Sequence, residues 1–400
     1  MNRNYKSNIW KLCIIRFFHN LIPAYVIERL FWEQRGMTIQ MVVYTEIIYA
    51  LTIVLLEIPT GIIADKWGRK RMMVLNVFLG CCEFLILVFA TKFWHFALVV
   101  FLSGIGASAC SGSENALLYD SLVHSNETQS FEKYLGWLNA CDLSAAILAA
   151  LSGSIMTRWF EFELNYWLSF VSMMISLCIS LTLIEPEIYS EIDEFNEIGK
   201  YVTESVLFFK KNPVVCLVVF SGMIAGSALN FIDEFWQIYV DRVGFPIVFF
   251  GLLSAGFMLF RLPGNMFAYV LKKRFSYRDL ISGIIAIYTA GFACLWISKN
   301  YEGSAYYGLP AIFLIYAVSG VLEPIVTGYL HHRIDSNMRA TIDSFQSLGL
   351  RVITIIVGLG FGFFSSKFDI FGGYGYIALI CGAFLICFLA YRQGDGSSVR

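Results

Sequence analysis

The sequence predicts an all-α membrane protein with twelve transmembrane helices. Of its 400 residues, 58% are hydrophobic and only 15% are charged, and the mean hydropathy is +0.66. Soluble domains are typically about 25% charged. The apolar residues fall into stretches of about 20 or more, the length that a helix needs to cross about 30 Å of hydrocarbon. A bilayer is therefore the expected environment.

The apolar stretches form two sets of six on either side of a polar, acidic segment. We predict spans near 8–32, 40–63, 72–91, 94–122, 134–157 and 162–185, and then near 212–240, 246–271, 279–298, 308–332, 341–365 and 371–391. The N-terminal run is too long for the core of a signal peptide and has no small-residue cleavage site. The predicted domains are a six-helix bundle at 1–185, a cytoplasmic central loop at 186–211 and a second six-helix bundle at 212–400.

Lysine and arginine set the predicted orientation, because cytoplasmic loops carry an excess of positive residues. With the N-terminus inside, the cytoplasmic segments hold 19 of the 29 basic residues and the outer loops hold six. Both termini are then cytoplasmic, and the expected location is the cytoplasmic membrane of a bacterium.

Several classes of function find no support in the sequence. The net charge is −1 and no basic face stands out, so nucleic acid is not an expected partner. There is no GxxxxGK[ST] loop for a nucleotide and no HExxH spacing among the five histidines. All ten cysteines fall in predicted spans without a CxxC pair, which is typical of packing residues. We therefore expect that the protein is not an enzyme and binds no metal or cofactor.

The two halves repeat each other weakly. The segment EIPTGIIADKWGRK of the second span aligns with RLPGNMFAYVLKKR of the eighth, which pairs Pro59 with Pro263. IERLFW in the first span resembles IDEFWQ in the seventh, which pairs Glu28 with Asp233. Internal repeats of this kind are typical of secondary transporters, whose substrate sites lie between the repeats near the middle of the membrane.

A charged turn between the second and third spans carries the most specific motif. It reads Gly61-x-x-x-Asp65-Lys66-x-Gly68-Arg69-Lys70. Glycine permits the tight turn between antiparallel helices, and arginine offers a bidentate fork to a carboxylate, for which we predict Asp120. The motif, in this place among twelve spans, resembles the signature loop of the major facilitator superfamily.

That resemblance extends over the whole chain and implies two pseudo-symmetric six-helix halves in a monomer. It also implies that the motif (Gly61, Asp65, Gly68, Arg69 and Asp120) latches the halves together on the cytoplasmic side when the protein faces outward. Asp65 is placed to face the positive N-terminal end of a neighbouring helix. The alternative is that these charges act only as anchors for membrane topology.

Ionisable residues within the spans are candidates for function, because each costs at least about 2.5–3.5 kcal/mol to insert. The repeat relates acids of the first half, Glu57 and Asp142, to bases of the second, Arg261 and Arg351. In the family fold, span 2 packs on span 11 and span 5 on span 8. We therefore predict the inter-half ion pairs Glu57–Arg351 and Asp142–Arg261. The alternative is that each charge is satisfied within its own half.

A second set of polar residues falls on the spans that line the cavity in this family. Glu323, beside Pro324 near the midplane, is the first choice for a carboxylate that binds a proton or substrate, because burial would favour its neutral form. Asp233 is the second choice. Arg16 is either a counter-charge to Glu323 or Glu114, or extends to the inner interface. The remaining candidates are Asn20, Glu114 and Asn230.

The expected function is export of small amphipathic or hydrophobic molecules by alternating access, with proton antiport as the energy source. The motif and the segment GSENALLYDSL resemble those of bacterial drug-efflux members of the superfamily. Two departures keep an uptake symporter or facilitator for a small nutrient open. Val100 stands where many exporters have a span 4 arginine, and DLSAAILAALSGS in span 5 lacks their Gly-Pro pair.

Overall fold

The computed structural model describes residues 5–186, 209–210, 212–300, 305–331 and 339–391, and every regular element within them is a helix. The all-α class predicted from the sequence is confirmed. The chain forms two compact units. One comprises Met1–Glu191 with Pro246–Ala255, and the other comprises Ile192–Phe245 with Gly256–Arg400.

The first eight α-helices belong to the first unit. Short 3₁₀ turns at Pro23–Val26 and Thr128–Ser130 interrupt them. The helices are α1 (Ser7–Asn20), α2 (Glu28–Gln34), α3 (Ile39–Trp67), α4 (Arg69–Val88), α5 (Phe93–Cys110), α6 (Ser113–Val123), α7 (Phe131–Met156) and α8 (Phe162–Leu181).

Five further helical stretches follow the central segment: α9 (Pro213–Arg242), α10 (Phe250–Arg274), α11 (Tyr277–Ile297), α12 (Ala305–His331) and α13 (Arg339–Ala390). The last is two helices joined at a sharp break. Phe368 and Asp369 leave the helical region there, with φ of −128° and 58°. Within the second unit, α9 packs on α12 and α13, and α11 packs on the same two helices.

Ten segments within the described residues are long and apolar enough to cross a membrane. The last of them, Phe345–Ala390, contains the break at Asp369 and is long enough for two crossings. With the interrupted N-terminal segment, this pattern agrees with the twelve predicted spans.

Two predicted spans are not continuous helices, which corrects the boundaries expected from hydropathy. The first span stops at Asn20 and resumes at Glu28, because Pro23 has no N–H to continue the helix. The freed N–H of Ala24 donates to Ser169 Oγ at 3.1 Å, which compensates the interruption. The fourth span breaks at Gly112, whose φ of 74° favours glycine.

Helix α1 lies at the centre of the packing that positions the candidate site. It packs against α7 and α8, and its buried side chains meet fully buried residues such as Leu117 and Leu138. At Gly153 of α7, a Cβ would lie 2.4 Å from the Pro23 carbonyl oxygen, so only glycine allows this approach. Small residues at such contacts are typical of helix packing in membranes.

Candidate functional site

The charged motif forms a one-residue turn between α3 and α4. Gly68 ends α3, and its φ of 108° is in the region that favours glycine. A Cβ at this position would also lie 2.8 Å from Glu185 Oε2. The backbone conformation therefore requires glycine, and a larger residue would also displace the Glu185 carboxylate.

Glu185 caps the N-terminus of α4, a role that sequence analysis missed. Its two carboxylate oxygens accept the backbone N–H groups of Arg69 and Lys70, each at 2.9 Å. These are unpaired donors at a positive helix end, where a carboxylate is favoured. Burial raises the pKa of Glu185 above its usual value, and the two N–H donors oppose that shift. The available signal was an acidic residue at the end of the predicted sixth span.

The Arg69 guanidinium forms an ion pair with the Asp120 carboxylate, so the structure brings together the two residues that the motif was expected to pair. Asp120 lies in α6 and is half-buried. Gly61 lies in α3 with nothing near the site of a Cβ. The Asp65 side chain is outside the described part of the structure. The latching role of the motif stays a prediction.

Arg16 is the centre of a polar cluster in the first unit. Its Nε and Nη2 atoms donate to the two oxygens of Glu114 at 2.6 and 3.1 Å. Its Nη1 atom donates to Asp142 Oδ2 at 2.7 Å and to Asn139 Oδ1 at 3.0 Å. Asn20 donates to the other Asp142 oxygen at 2.9 Å. Of the alternatives for Arg16, the structure supports the counter-charge to Glu114.

The helix interruptions bring these side chains together. Arg16 and Asn20 occupy the last two turns of α1, before the break at Pro23. Glu114 lies in the first turn of α6, directly after the break at Gly112, where the helix dipole favours an acid. Arg16 and Glu114 were both candidates from the sequence, but the predicted spans 8–32 and 94–122 contained no break at Pro23 or Gly112.

A cavity of about 280 Å³ lies against this cluster. His19 and Asn76 meet on its wall, with 3.4 Å between His19 Nε2 and Asn76 Nδ2. Asn76 and Asn139 were not predicted, although an asparagine in a transmembrane span is a recognisable signal. The remaining wall includes Ile15, Met73, Val77 and Cys110, so the cavity combines charge with an apolar surface.

A second cavity, of about 360 Å³, lies in the second unit. Asn230, Asp233, Arg261 and Glu323 line it, as do Ser319 and Gln346. The Tyr316 hydroxyl donates to Asp233, and an Arg261 Nη2 atom lies 3.7 Å from Glu323 Oε2. Four residues proposed from the sequence therefore share one cavity.

Two glycines hold α10 and α12 close together beside this cavity. A Cβ at Gly320 would lie 2.2 Å from the Arg261 carbonyl oxygen, and one at Gly264 would lie 2.5 Å from that of Ala317. This crossing places Arg261 next to Glu323, since those residues flank it on the two helices.

The exposure of the Glu323 side chain differs from the expectation. It was expected to be buried, but its side chain is 74% exposed. The reason is its position at the open wall of the cavity, beside the exposed Pro324. Helix α12 continues through Pro324.

The membrane charges assigned to inter-half pairs have different surroundings. Asp142 pairs with Arg16, and Arg261 faces Glu323, so both are satisfied within their own unit, as the alternative held. Glu57 in α3 and Arg351 in α13 are partly buried. The pairs Glu57–Arg351 and Asp142–Arg261 stay predictions.

Metal chemistry finds no support in the described residues, where no group of three or more His, Cys, Asp or Glu side chains is arranged to hold an ion. The two cavities instead present arginines, carboxylates and amides on otherwise apolar walls. Such a surface can bind small molecules and protons.

Comparisons with known proteins identify the class. Residues 13–350 match the family model described as Major Facilitator Superfamily, and the chain belongs to that superfamily of membrane transporters. It is similar to the uncharacterized transporter BU466 of Buchnera aphidicola, at 24% identity over 75% of this chain and 74% of that protein.

Two other similarities bear on function and fold. A tetracycline resistance protein, class H, of Pasteurella multocida is 21% identical over 78% of this chain and 76% of its own length. The crystal structure of the nucleoside transporter NupG aligns with a TM-score of 0.76 at 14% identity, covering 98% of this chain and 99% of that one. The latter shows the fold alone. The protein is thus a transporter and not an enzyme.

Proposed function

We propose that this transporter exports small amphipathic or hydrophobic molecules, organic cations among them, in exchange for protons. The observation that carries the proposal is the Arg16 cluster. One guanidinium serves the two carboxylates of Glu114 and Asp142. When all three are ionised, the cluster has one negative charge in excess.

That excess charge can be balanced in two ways. A proton can bind to one carboxylate, or an organic cation can enter the adjacent cavity. Either event lowers the affinity for the other, because both use the same negative charge. Mutual exclusion at one site is the requirement for antiport, because it couples the two movements so that a proton gradient can drive export of the cation.

The second unit offers a similar composition. Arg261 stands with the carboxylates of Asp233 and Glu323 around one cavity, again with one excess negative charge when all are ionised. The aromatic ring of Tyr316 stacks on that of Phe257 beside them, with centroids 4.8 Å apart. Acids combined with apolar lining residues such as Leu229, Leu322 and Val326 suit amphipathic cations.

The similarity to a tetracycline resistance protein supports export over import. An uptake symporter or facilitator for a small nutrient is the alternative. Val100 favours this alternative, because many exporters of the superfamily have an arginine at the corresponding position. The direction of net movement in right-side-out vesicles separates the two.

Proton release from proteoliposomes tests the proposal. Purified protein is reconstituted with a pH-sensitive dye in the lumen, and lipophilic cations and neutral amphiphiles are added in turn. We expect compound-dependent proton movement that is abolished by Asp142→Asn. Ser144→Ala on the same helix is the matched control and should behave like the unmodified protein. Transport that persists without a pH gradient and is unchanged by Asp142→Asn would contradict antiport.

A further inference from the structure

A large cavity lies at the α3–α4 turn, away from the two cavities considered above. Its volume is about 750 Å³. The end of α3, the first three turns of α4 and the residues after α8 form its walls. By the distribution of lysine and arginine, this turn is predicted to lie on the cytoplasmic side, at the edge of the bilayer.

One rim of this cavity is basic. Lys66, Lys70 and Arg71 line it, and Lys66 and Arg71 are exposed. Among the lining residues that the structure describes, Glu185 is the one acid, and its carboxylate accepts the backbone N–H groups of α4. The four side chains together carry a net charge of two positive units when ionised. The rim therefore favours an anion.

A second part of the wall is apolar and runs from the rim along α4. Val74, Leu75 and Phe78 lie three, four and seven residues after Arg71, which places them on one face of the helix. At 1.5 Å per residue, the stripe is about 10 Å long. Phe78 is 50% exposed, and Leu181 of α8, 57% exposed, borders the same cavity. A soluble anion would leave this wall without a partner.

We propose that this cavity binds one anionic phospholipid. The phosphate lies between Lys66, Lys70 and Arg71, and one acyl chain lies along Val74, Leu75 and Phe78. Lysine and arginine clusters beside transmembrane helices attract anionic headgroups, at about one kcal/mol for each residue. Trp67, 47% exposed in the same lining, is of the type enriched at the membrane interface. Together, the basic rim and the apolar wall favour a whole phospholipid over a soluble anionic headgroup or an apolar chain alone.

Such a lipid would act on the motif directly. Lys70 and Arg71 follow Arg69, whose side chain holds Asp120 and whose backbone is capped by Glu185. A bound headgroup neutralises the positive charges that flank this turn. Lipid composition would then alter the stability of the α3–α4 turn without contact with either polar cavity. This inference is independent of the transported substrate.

Native mass spectrometry of the detergent-purified protein tests the proposal. The probes are phosphatidylglycerol, phosphatidylcholine and glycerol phosphate, each titrated separately. Phosphatidylglycerol should bind in preference to phosphatidylcholine, and glycerol phosphate should not compete with it at equal concentration. The double variant Lys70→Gln/Arg71→Gln should weaken phosphatidylglycerol binding roughly 25-fold, about fivefold for each charge removed.

The matched control is Lys272→Gln/Lys273→Gln, which removes two positive charges from the last turn of α10 in the other unit. It should leave the tightest phosphatidylglycerol site unchanged. Phe78→Ala keeps the charges and should reduce the preference for phosphatidylglycerol over glycerol phosphate.

Three results would overturn the proposal. The first is an equal loss of phosphatidylglycerol binding in the two double variants. The second is competition by glycerol phosphate that is as effective as competition by the lipid. The third is unchanged binding in both Lys70→Gln/Arg71→Gln and Phe78→Ala. Thermal unfolding without added lipid identifies a variant that has simply lost its fold. If the double variant fails to fold, Phe78→Ala decides the matter.

Discussion

Arg16 and Asp142 are 126 residues apart in the chain, yet Arg16 Nη1 lies 2.7 Å from Asp142 Oδ2. Glu114, 98 residues from Arg16, holds the other edge of the same guanidinium. The arginine is therefore shared between α6 and α7, and three separate helices depend on it.

Arg16→Gln should be strongly destabilising, because it leaves two facing carboxylates without their cation. Breaking a buried pair from one side costs about 3–5 kcal/mol. The Arg16 side chain is only 17% exposed, so water offers limited compensation. Thermal unfolding in detergent measures the loss. Adding Asp142→Asn to Arg16→Gln should restore part of it, and purely additive losses would argue against coupling of the two residues.

Removal of the α4 cap should have a smaller effect. Glu185→Ala leaves the N–H groups of Arg69 and Lys70 without their acceptor, and loss of a cap costs about 0.5–2 kcal/mol. Glu185→Gln retains one acceptor oxygen and should lose less. Unfolding in detergent provides the comparison. Equal stability of both variants and the unmodified protein would mean that the cap contributes nothing.

Gly320→Ala should cost about 1–3 kcal/mol, because the added methyl group meets the Arg261 carbonyl oxygen at 2.2 Å. Gly283→Ala in α11 is the matched control. It has nothing within 4 Å, and alanine is favoured over glycine in a helix interior. The unfolding temperature should fall for Gly320→Ala and should stay the same or rise for Gly283→Ala. A similar response from both would contradict the close crossing.

The Lys6–Glu127 pair predicts a pH dependence outside the membrane. The hydrogen bond from Lys6, 2.6 Å long, lowers the pKa of Glu127 below its usual value. The folded state therefore favours the ionised acid. This contribution is present above the ordinary pKa of glutamate and is lost as the pH falls through the lowered value. In Lys6→Gln, the stability measured from unfolding curves between about pH 3 and pH 6 should lose this part of its pH dependence. An identical dependence in both proteins would exclude the pair as its source.

Glu323→Gln tests the carboxylate in the second unit. Under the proposed exchange, it should reduce compound-dependent proton movement, since Glu323 lines the cavity with Arg261 and Asp233. Gln346→Ala in the same lining is the control for a change of shape without a change of charge. Proteoliposome assays at matched protein content provide the measurement. Full proton movement in Glu323→Gln would restrict coupling to the Arg16 cluster.

Hydropathy and charge predicted the helical class and the approximate spans, because the bilayer imposes length and composition on any helix that crosses it. The breaks at Pro23 and Gly112 have local signals, namely a proline and a glycine. Averaging hydropathy over a span conceals them, and those breaks decide how Arg16 and Glu114 meet.

The sequence by itself determined the twelve-span plan and the Gly68 turn, since each follows from composition or local chemistry, and the resemblance of the motif predicted the Arg69–Asp120 pairing. Only the tertiary structure decided which carboxylates Arg16 serves, that Glu185 caps α4, and that Glu323 is open to its cavity. Those relationships join residues from helices far apart in the chain. Helix rotation and close glycine contacts set them, and neither is written in hydropathy.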